Sequence, residues 1–461
     1  MKKRIKLEYI FLFLSIIFSV VFTFYKLGDT HLIEFDEGIY GLVAKNILKS
    51  GDWVTLQWRL GSPWFDKGPL YLWLTAASIK VFGLTSFAVR FWSAFFGVVG
   101  CFSVYLIGRK LFNWKVGFMA SCILASTLGY LNYARLGMLD VPNAALNSLS
   151  LFFLLSSLEN PAFLVPASVT LALGFLNRQF LAFLGLAAFL IFLFVQRKYK
   201  LYKVANLFLP TLVFLAITIP WHLAETLRYG KDFWEVYILH QTLSRFSRTI
   251  EGKYAPLLWY VTVARTHFRI WFVVLLPAIP YYLYKAFKRS PGELLLLLWA
   301  VLTFIAFTVA KSKLIWYIMP LYPPLSIIVA WFIYVLFKRV KLTVVAPVIV
   351  LLVAGVYNLM TWDRIAPRDF TADQAKLIEY KNRLDPQADL LAVGYSYSVS
   401  SFYSVSKVTP IPKEEMHGFF DALGYKYAII TLGDLGSLKD KESYKTVYSV
   451  GDGALIKKYN K

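Results

Sequence analysis

Apolar residues gather in eleven runs along this chain, at about 8–25, 88–107, 116–133, 141–158, 161–177, 179–195, 204–222, 268–286, 293–310, 314–336 and 342–361. Each approaches the roughly 20 residues that a helix needs to cross about 30 Å of hydrocarbon. The first run, FLFLSIIFSVVFTFYKLG, follows MKKRIK and could be mistaken for a cleaved leader. It is long, bulky and aromatic with no small-residue cleavage site, so it reads as a membrane anchor. After residue 361 the pattern changes. TADQAKLIEYKNRL has helical periodicity, while DLLAVGY, YAIITLG and GALIKKY read as short strands. The pattern therefore predicts a multi-span α-helical membrane body over 1–361 and a small extracytoplasmic α/β domain over 362–461.

Two polar breaks, 26–87 and 223–267, are too long to be simple connections, and long ordered loops are usually functional. In the first, DEGIYGLVAKNILKSG puts Ile39, Leu42, Val43, Ile47 and Leu48 on one helical face. PLYLWLTAASIKVFG opens with Pro69 and closes with Gly83. Both are expected to be helices in the interface plane, with Trp53, Trp58, Trp64 and Trp73 as an aromatic belt.

Composition agrees with this picture. The chain is 58% hydrophobic and 16% charged, whereas soluble domains run near a quarter charged. Basic clusters at 2–6, 109–115, 197–203, 285–289 and 338–341 all fall in alternate loops. The positive-inside rule makes those loops cytoplasmic and the C-terminus external. The net charge is +22, yet the residues from 362 onward hold 14 basic and 13 acidic side chains, so the excess lies in the membrane part. Attraction to anionic lipid accounts for it without a nucleic-acid partner. Cys101 and Cys122 sit inside apolar runs and read as packing residues. There is no glycine-rich phosphate loop.

Carboxylates are scarce in the first 361 residues and concentrate in the outer loops. Asp29, Glu34, Asp36, Glu37, Asp52 and Asp66 lie in the first, and Glu225, Asp232, Glu235 and Glu251 in the second. Asp140 stands at the mouth of a helix pair. This asymmetry points to a cation- or proton-using site on the outer face. Taken singly, each candidate also has a structural reading. Asp36 and Asp140 fit helix caps, Asp66 a turn, His240 a lone histidine that is no ligand, and Lys311 and Lys313 snorkelling cations.

Their order along the chain adds a resemblance. DEGIYGLVAKNILKSGDWVTLQW, WFDKGPLYLWLTAASIKVFG, SFAVRFWSAFFG, RLGMLDVP, HQTLSRF and SKLIWYIMPLYPPL together resemble the GT-C class of membrane glycosyltransferases. The branch is that of the lipid A aminoarabinose transferases and the dolichyl-phosphate-mannose protein mannosyltransferases. The resemblance covers about residues 30–325 and implies a GT-C-like fold with Asp36, Glu37 and Asp140 as catalytic acids. It gives Lys67, Arg245 and Tyr317 the phosphate of a polyprenyl-phosphate sugar donor. Asp66 and His240 match a pair that holds a divalent metal (Zn, Mg or Mn) in such enzymes. Asp66 and Gly68 depart from the glutamate and proline usual in that turn, and Gly38 or Ile39 stands where relatives often carry a base.

The implied activity is inverting transfer of a sugar from a polyprenyl phosphate to an envelope acceptor such as lipid A, on the outer face of the cytoplasmic membrane. Aminoarabinose, galacturonate, galactosamine and mannose all fit as the sugar, and the acceptor is a lipid or a protein. A protein O-mannosyltransferase-like enzyme is the alternative within the class. A transporter or flippase of a lipid-linked sugar is the alternative outside it, and would place its ionisable residues at the bilayer midplane.

Overall fold

The computed structural model describes residues 2–198, 202–249, 252, 254–288, 290–366, 368–412, 425–436 and 444–458. Its principal helices, in chain order, begin with α1 (Lys2–Phe24), α2 (Asp36–Ser50), α3 (Leu70–Phe82), α4 (Ser86–Leu111), α5 (Trp114–Ala125) and α6 (Leu128–Ala134). There follow α7 (Asp140–Ser156), α8 (Leu164–Arg178), α9 (Leu184–Val195), α10 (Val204–Tyr229), α11 (Trp259–Phe268) and α12 (Ile270–Phe287). The last five are α13 (Pro291–Val309), α14 (Tyr322–Arg339), α15 (Val345–Met360), α16 (Ala372–Leu384) and α17 (Tyr397–Tyr403).

The protein is a multi-span membrane protein, and its helices do not confirm the count of eleven crossings. Among the described residues seven helical runs are long and apolar enough to cross, eight if α5 and α6, bent by 68°, count as one. The expected runs 141–158 and 342–361 became α7 and α15, of 17 and 16 residues. The expected pair 161–177 and 179–195 lies in a single helical run, Pro161–Val195. That run folds back on itself at the 3₁₀ segment Gln179–Phe183, where Gln179 has φ 44°. The rings of Phe175 and Phe183 are 5.7 Å apart, whereas eight residues of straight helix would separate them by about 12 Å. α10 runs on past the expected end at 222, so Glu225 is a buried helix residue rather than a loop residue.

Packing divides the chain into two compact units, the first comprising Met1–Lys26, Trp64–Tyr71 and Arg90–Pro367. Its core includes the fully buried Trp299, Phe118 and Tyr322. Arg135 is buried; its guanidinium donates to the carbonyls of Phe22 and Thr23 at 3.0 Å and rests on the ring of Trp362. Large apolar side chains of α10, among them Phe208, Leu212 and Leu227, are exposed, as a lipid-facing helix requires.

The loops of the first unit meet at one end. Glu8 pairs with Arg109, and Glu159 with Lys110 at 2.8 Å. Lys115 donates to Thr343 at 3.0 Å, Ser157 and Tyr202 share a hydrogen bond of 2.7 Å, and Trp331 donates to Glu293 at 3.2 Å. The basic loops thus gather where the sequence pattern put them together.

The second unit joins Leu27–Pro63 and Leu72–Val89 to Arg368–Lys461. Its strands are β1 (Leu390–Val393), β2 (Val408–Ile411), β3 (Tyr427–Thr431), β4 (Tyr444–Val450) and β5 (Gly453–Lys458), in the order β2-β1-β3-β5-β4. β1 runs parallel to β2 and β3, and β5 antiparallel to β3 and β4. The C-terminal segment packs with the first long loop. Leu32 donates its amide to the Tyr403 hydroxyl at 2.9 Å, and its carbonyl accepts from Thr371 at 2.6 Å. Helix α2 packs on α17 through Gly38, Gly41 and Lys45, which donates to the carbonyls of Ser401, Phe402 and Ser404 at 2.6–3.0 Å. Leu42, Val43 and Ile47 of its apolar face are buried rather than lying free in the interface plane.

Candidate functional site

In the first unit the turn that carries Asp66 and Lys67 is fixed from both sides. Phe65 is buried against the rings of Tyr229 and Phe233, at 5.1 and 5.4 Å. A Cβ at Gly68 would run into the Leu176 carbonyl oxygen. The glycine where relatives carry proline is therefore the condition for this turn to approach the end of α8. Held so, Asp66 and Lys67 line a cavity of about 350 Å³, together with Arg178, Gln241, Arg245 and Tyr317.

Polar contacts chain these residues together. Asp140 opens α7, 2% exposed, and is ion-paired with Arg178 at the end of α8. Each charge sits at the helix end whose dipole favours it. Asn177 donates to the Leu139 carbonyl at 3.0 Å and holds the same two helix ends. The Arg178 guanidinium lies 4.6 Å over the Tyr317 ring, and the Tyr317 hydroxyl accepts from Arg245 at 3.5 Å. Arg245 also donates to the Gln241 side chain at 2.8 Å. Gln241 belongs to the π-helix Glu235–Ser244, and Arg245 directly follows it. Such wide turns recur at functional sites.

Three cations, Lys67, Arg178 and Arg245, thus face a space that Asp66 and Gln241 also line and that has an apolar wall, with Phe180, Leu243 and Phe307 in it. The Ser312 hydroxyl faces the same space, buried and without a hydrogen-bond partner among the described residues. Chemically this suits an anion attached to a greasy chain: charge and bidentate donors for the one, apolar wall for the other.

Asp36 and Glu37 belong to the second unit. Asp36 is the first residue of α2 and does not cap it; the cap position is Phe35, with no side-chain cap bond. Glu37 does the local work instead, buried, its carboxylate accepting from the Ile33 amide at 2.8 Å. The Asp36 carboxylate is half-buried and makes no hydrogen bond or ion pair among the described residues. Phe35, 76% exposed, has φ 64°. Positive φ in a bulky residue is strained, and such strain clusters at functional sites.

His240 is exposed on the π-helix and does not line the cavity that holds Asp66. Among the described residues no three His, Cys, Asp or Glu come together in a metal-binding arrangement. The cavity thus takes in Asp66 without His240. Of the other expected residues, Asp66, Lys67, Arg245 and Tyr317 meet at the cavity, and Asp140 is joined to it through Arg178. Sequence reasoning missed Arg178, Gln241 and Ser312. A signal existed for Arg178, a single ionisable residue between two apolar runs.

The family model described as dolichyl-phosphate-mannose-protein mannosyltransferase matches residues 66–223. The undecaprenyl phosphate-alpha-4-amino-4-deoxy-L-arabinose arabinosyl transferase of Aeromonas salmonicida is 29% identical over 326 residues, covering 68% of this chain and 58% of its own length. Its Yersinia enterocolitica counterpart is 29% identical over 327 residues, covering 69% and 58%. The crystal structure of ArnT from Cupriavidus metallidurans bound to undecaprenyl phosphate superposes with a TM-score of 0.77 at 19% identity, over 96% of this chain and 97% of that one. The chain shares the fold of this membrane transferase. The oligosaccharyltransferase of Archaeoglobus fulgidus shares the fold more distantly, with a TM-score of 0.62 at 15% identity over 95% and 71% of the two chains. The chain spans 58% of the length of the two arabinosyl transferases.

Proposed function

We propose that this protein transfers a sugar of the 4-amino-4-deoxyarabinose kind from undecaprenyl phosphate to lipid A. The observation that carries the reading is the cavity of the first unit, where three cations and a tyrosine hydroxyl face one apolar-walled space. Names of the relatives supply the sugar and its carrier. Lys67 and Arg245 hold the donor phosphodiester, and the tyrosine hydroxyl of Tyr317 adds a donor. When the bond from phosphate oxygen to the sugar's anomeric carbon breaks, the phosphate becomes a monoester with one more negative charge. Fixed cations at that oxygen stabilise the departing group. Phe180, Leu243 and Phe307 receive the first part of the prenyl chain. Arg178 is neutralised by Asp140, which positions it rather than reacting.

Asp36, with its unoccupied carboxylate, is assigned the acceptor. It removes a proton from a hydroxyl acceptor, or steadies positive charge at the anomeric carbon when the acceptor is an anionic phosphate. A single displacement inverts the sugar. The gathered basic loops are assigned to the cytoplasmic side of the inner membrane, with the N-terminus there and the C-terminal residues outside. Purified protein given undecaprenyl-phosphate aminoarabinose and lipid A should add one sugar mass to the acceptor. Asp36→Asn should lower that rate at least about a hundredfold, in line with loss of a general base. Transfer by Asp36→Asn at the native rate would remove Asp36 from the chemistry.

A further inference from the structure

The second unit has a cavity of its own, about 470 Å³, between α2, the turn at Arg59 and the start of β2. Four cations line it, Lys45, Lys49, Arg59 and Lys407, and among the described residues no carboxylate does. Lys45 and Lys49 are one helical turn apart, a like-charge spacing that destabilises a helix. Burial, and then Lys49, push the Lys45 ammonium down to about 8. The protein thus gathers positive charge around this space, with the Lys45 ammonium held by the carbonyls of Ser401, Phe402 and Ser404.

The geometry around these charges is built. Arg59 lies against two rings that meet edge to face, its guanidinium 5.2 Å from the centroids of both Trp58 and Tyr397. Trp58 is fixed in turn by its indole bond to Ser398 at 2.9 Å, and Asn46 binds the carbonyls of Gln57 and Trp58 at 3.0 and 3.1 Å. A stacked guanidinium presents its planar fork in a set direction, which suits bidentate recognition of phosphate. The Ser401 hydroxyl lines the same space, buried and without a hydrogen-bond partner among the described residues. A free hydroxyl beside a tyrosine ring is what a sugar would use.

We propose that this cavity binds the phosphate group of a phosphorylated saccharide, with Arg59, Lys49 and Lys407 on the phosphate and Tyr397 and Ser401 on the sugar. The proposal stands apart from the donor cavity and from sugar transfer, so its test uses neither. Full-length protein in phosphatidylcholine nanodiscs is titrated calorimetrically with glucose 1-phosphate and with glucose. Glucose 1-phosphate should bind at least about tenfold more tightly, as charge-assisted hydrogen bonds provide. Arg59→Ala combined with Lys49→Ala should abolish the difference; both side chains are exposed, so the fold tolerates the change. Arg59→Lys, which keeps the charge and loses the stacked fork, should retain only part of it. Nanodiscs that carry a phosphorylated disaccharide glycolipid separate two sources of the ligand. Loss of the glucose 1-phosphate signal there marks a lipid headgroup, and an unchanged signal marks a soluble phosphosugar. Equal affinity for glucose and its phosphate, or a double variant that binds as the native protein does, would overturn the assignment.

Discussion

Replacing Asp140 by Asn would leave Arg178 buried without its counter-ion while its guanidinium still rests on Tyr317. Breaking one side of a buried pair costs about 3–5 kcal/mol. Asp140→Asn should therefore lower the thermal midpoint clearly, and Asp140→Asn with Arg178→Gln should recover much of it, a partition that differential scanning calorimetry can read. Recovery of melting without recovery of donor binding would fit a cation that also serves the cavity. Asp140 was legible in the sequence as an important acid but not as half of a pair. Its partner stood 38 residues away in a stretch that read as a break between two helices. The same limit separates His240 from Gln241. Motif order marked the histidine, yet in the π-helix it is the glutamine that lines the cavity and the histidine that is exposed. Side-chain direction in a wide turn does not follow the 3.6-residue period on which sequence patterns rest.

Among elements, the turn at Asp66–Gly68 and the fold-back at Gln179–Phe183 do the most to make the cavity. Both escape a hydrophobic pattern, because they are set by close approach and by positive φ rather than by burial periodicity. Gly68 was legible only as a departure from relatives; its reason is the Leu176 carbonyl beside it. Gly68→Ala removes no charge and no hydrogen-bonding group. It should nevertheless weaken undecaprenyl phosphate binding by about tenfold or more, since a displacement near 1 Å can undo a positioned site. Native affinity in purified Gly68→Ala would mean that the turn does not position Lys67. The amphipathic face of α2 was legible residue by residue, and Gly51 ends the helix as a left-handed cap with φ 72°. That α2 also packs on α17 was not legible, since α17 lies more than 340 residues onward.

For the whole molecule, apolar runs and basic loops foretold a membrane body, and the ion pairs that bring the loops together agree with the charge pattern. The number of full crossings was not legible, because a run of apolar residues records burial and says nothing of where a helix turns back. The proposed orientation predicts that alkaline phosphatase fused after Lys461 is active in cells and that a fluorescent protein there is dark; the reverse pair of signals would invert the topology. The central claim is that Lys67 and Arg245 hold a polyprenyl phosphate. Its most direct test is the affinity of purified full-length protein for undecaprenyl phosphate, measured for the native chain, Lys67→Ala and Arg245→Ala. Each substitution is expected to weaken binding at least about tenfold, the worth of a charge-assisted hydrogen bond, while leaving the melting midpoint near the native value. Unaltered affinity in both variants would contradict the account and move the phosphate out of this cavity.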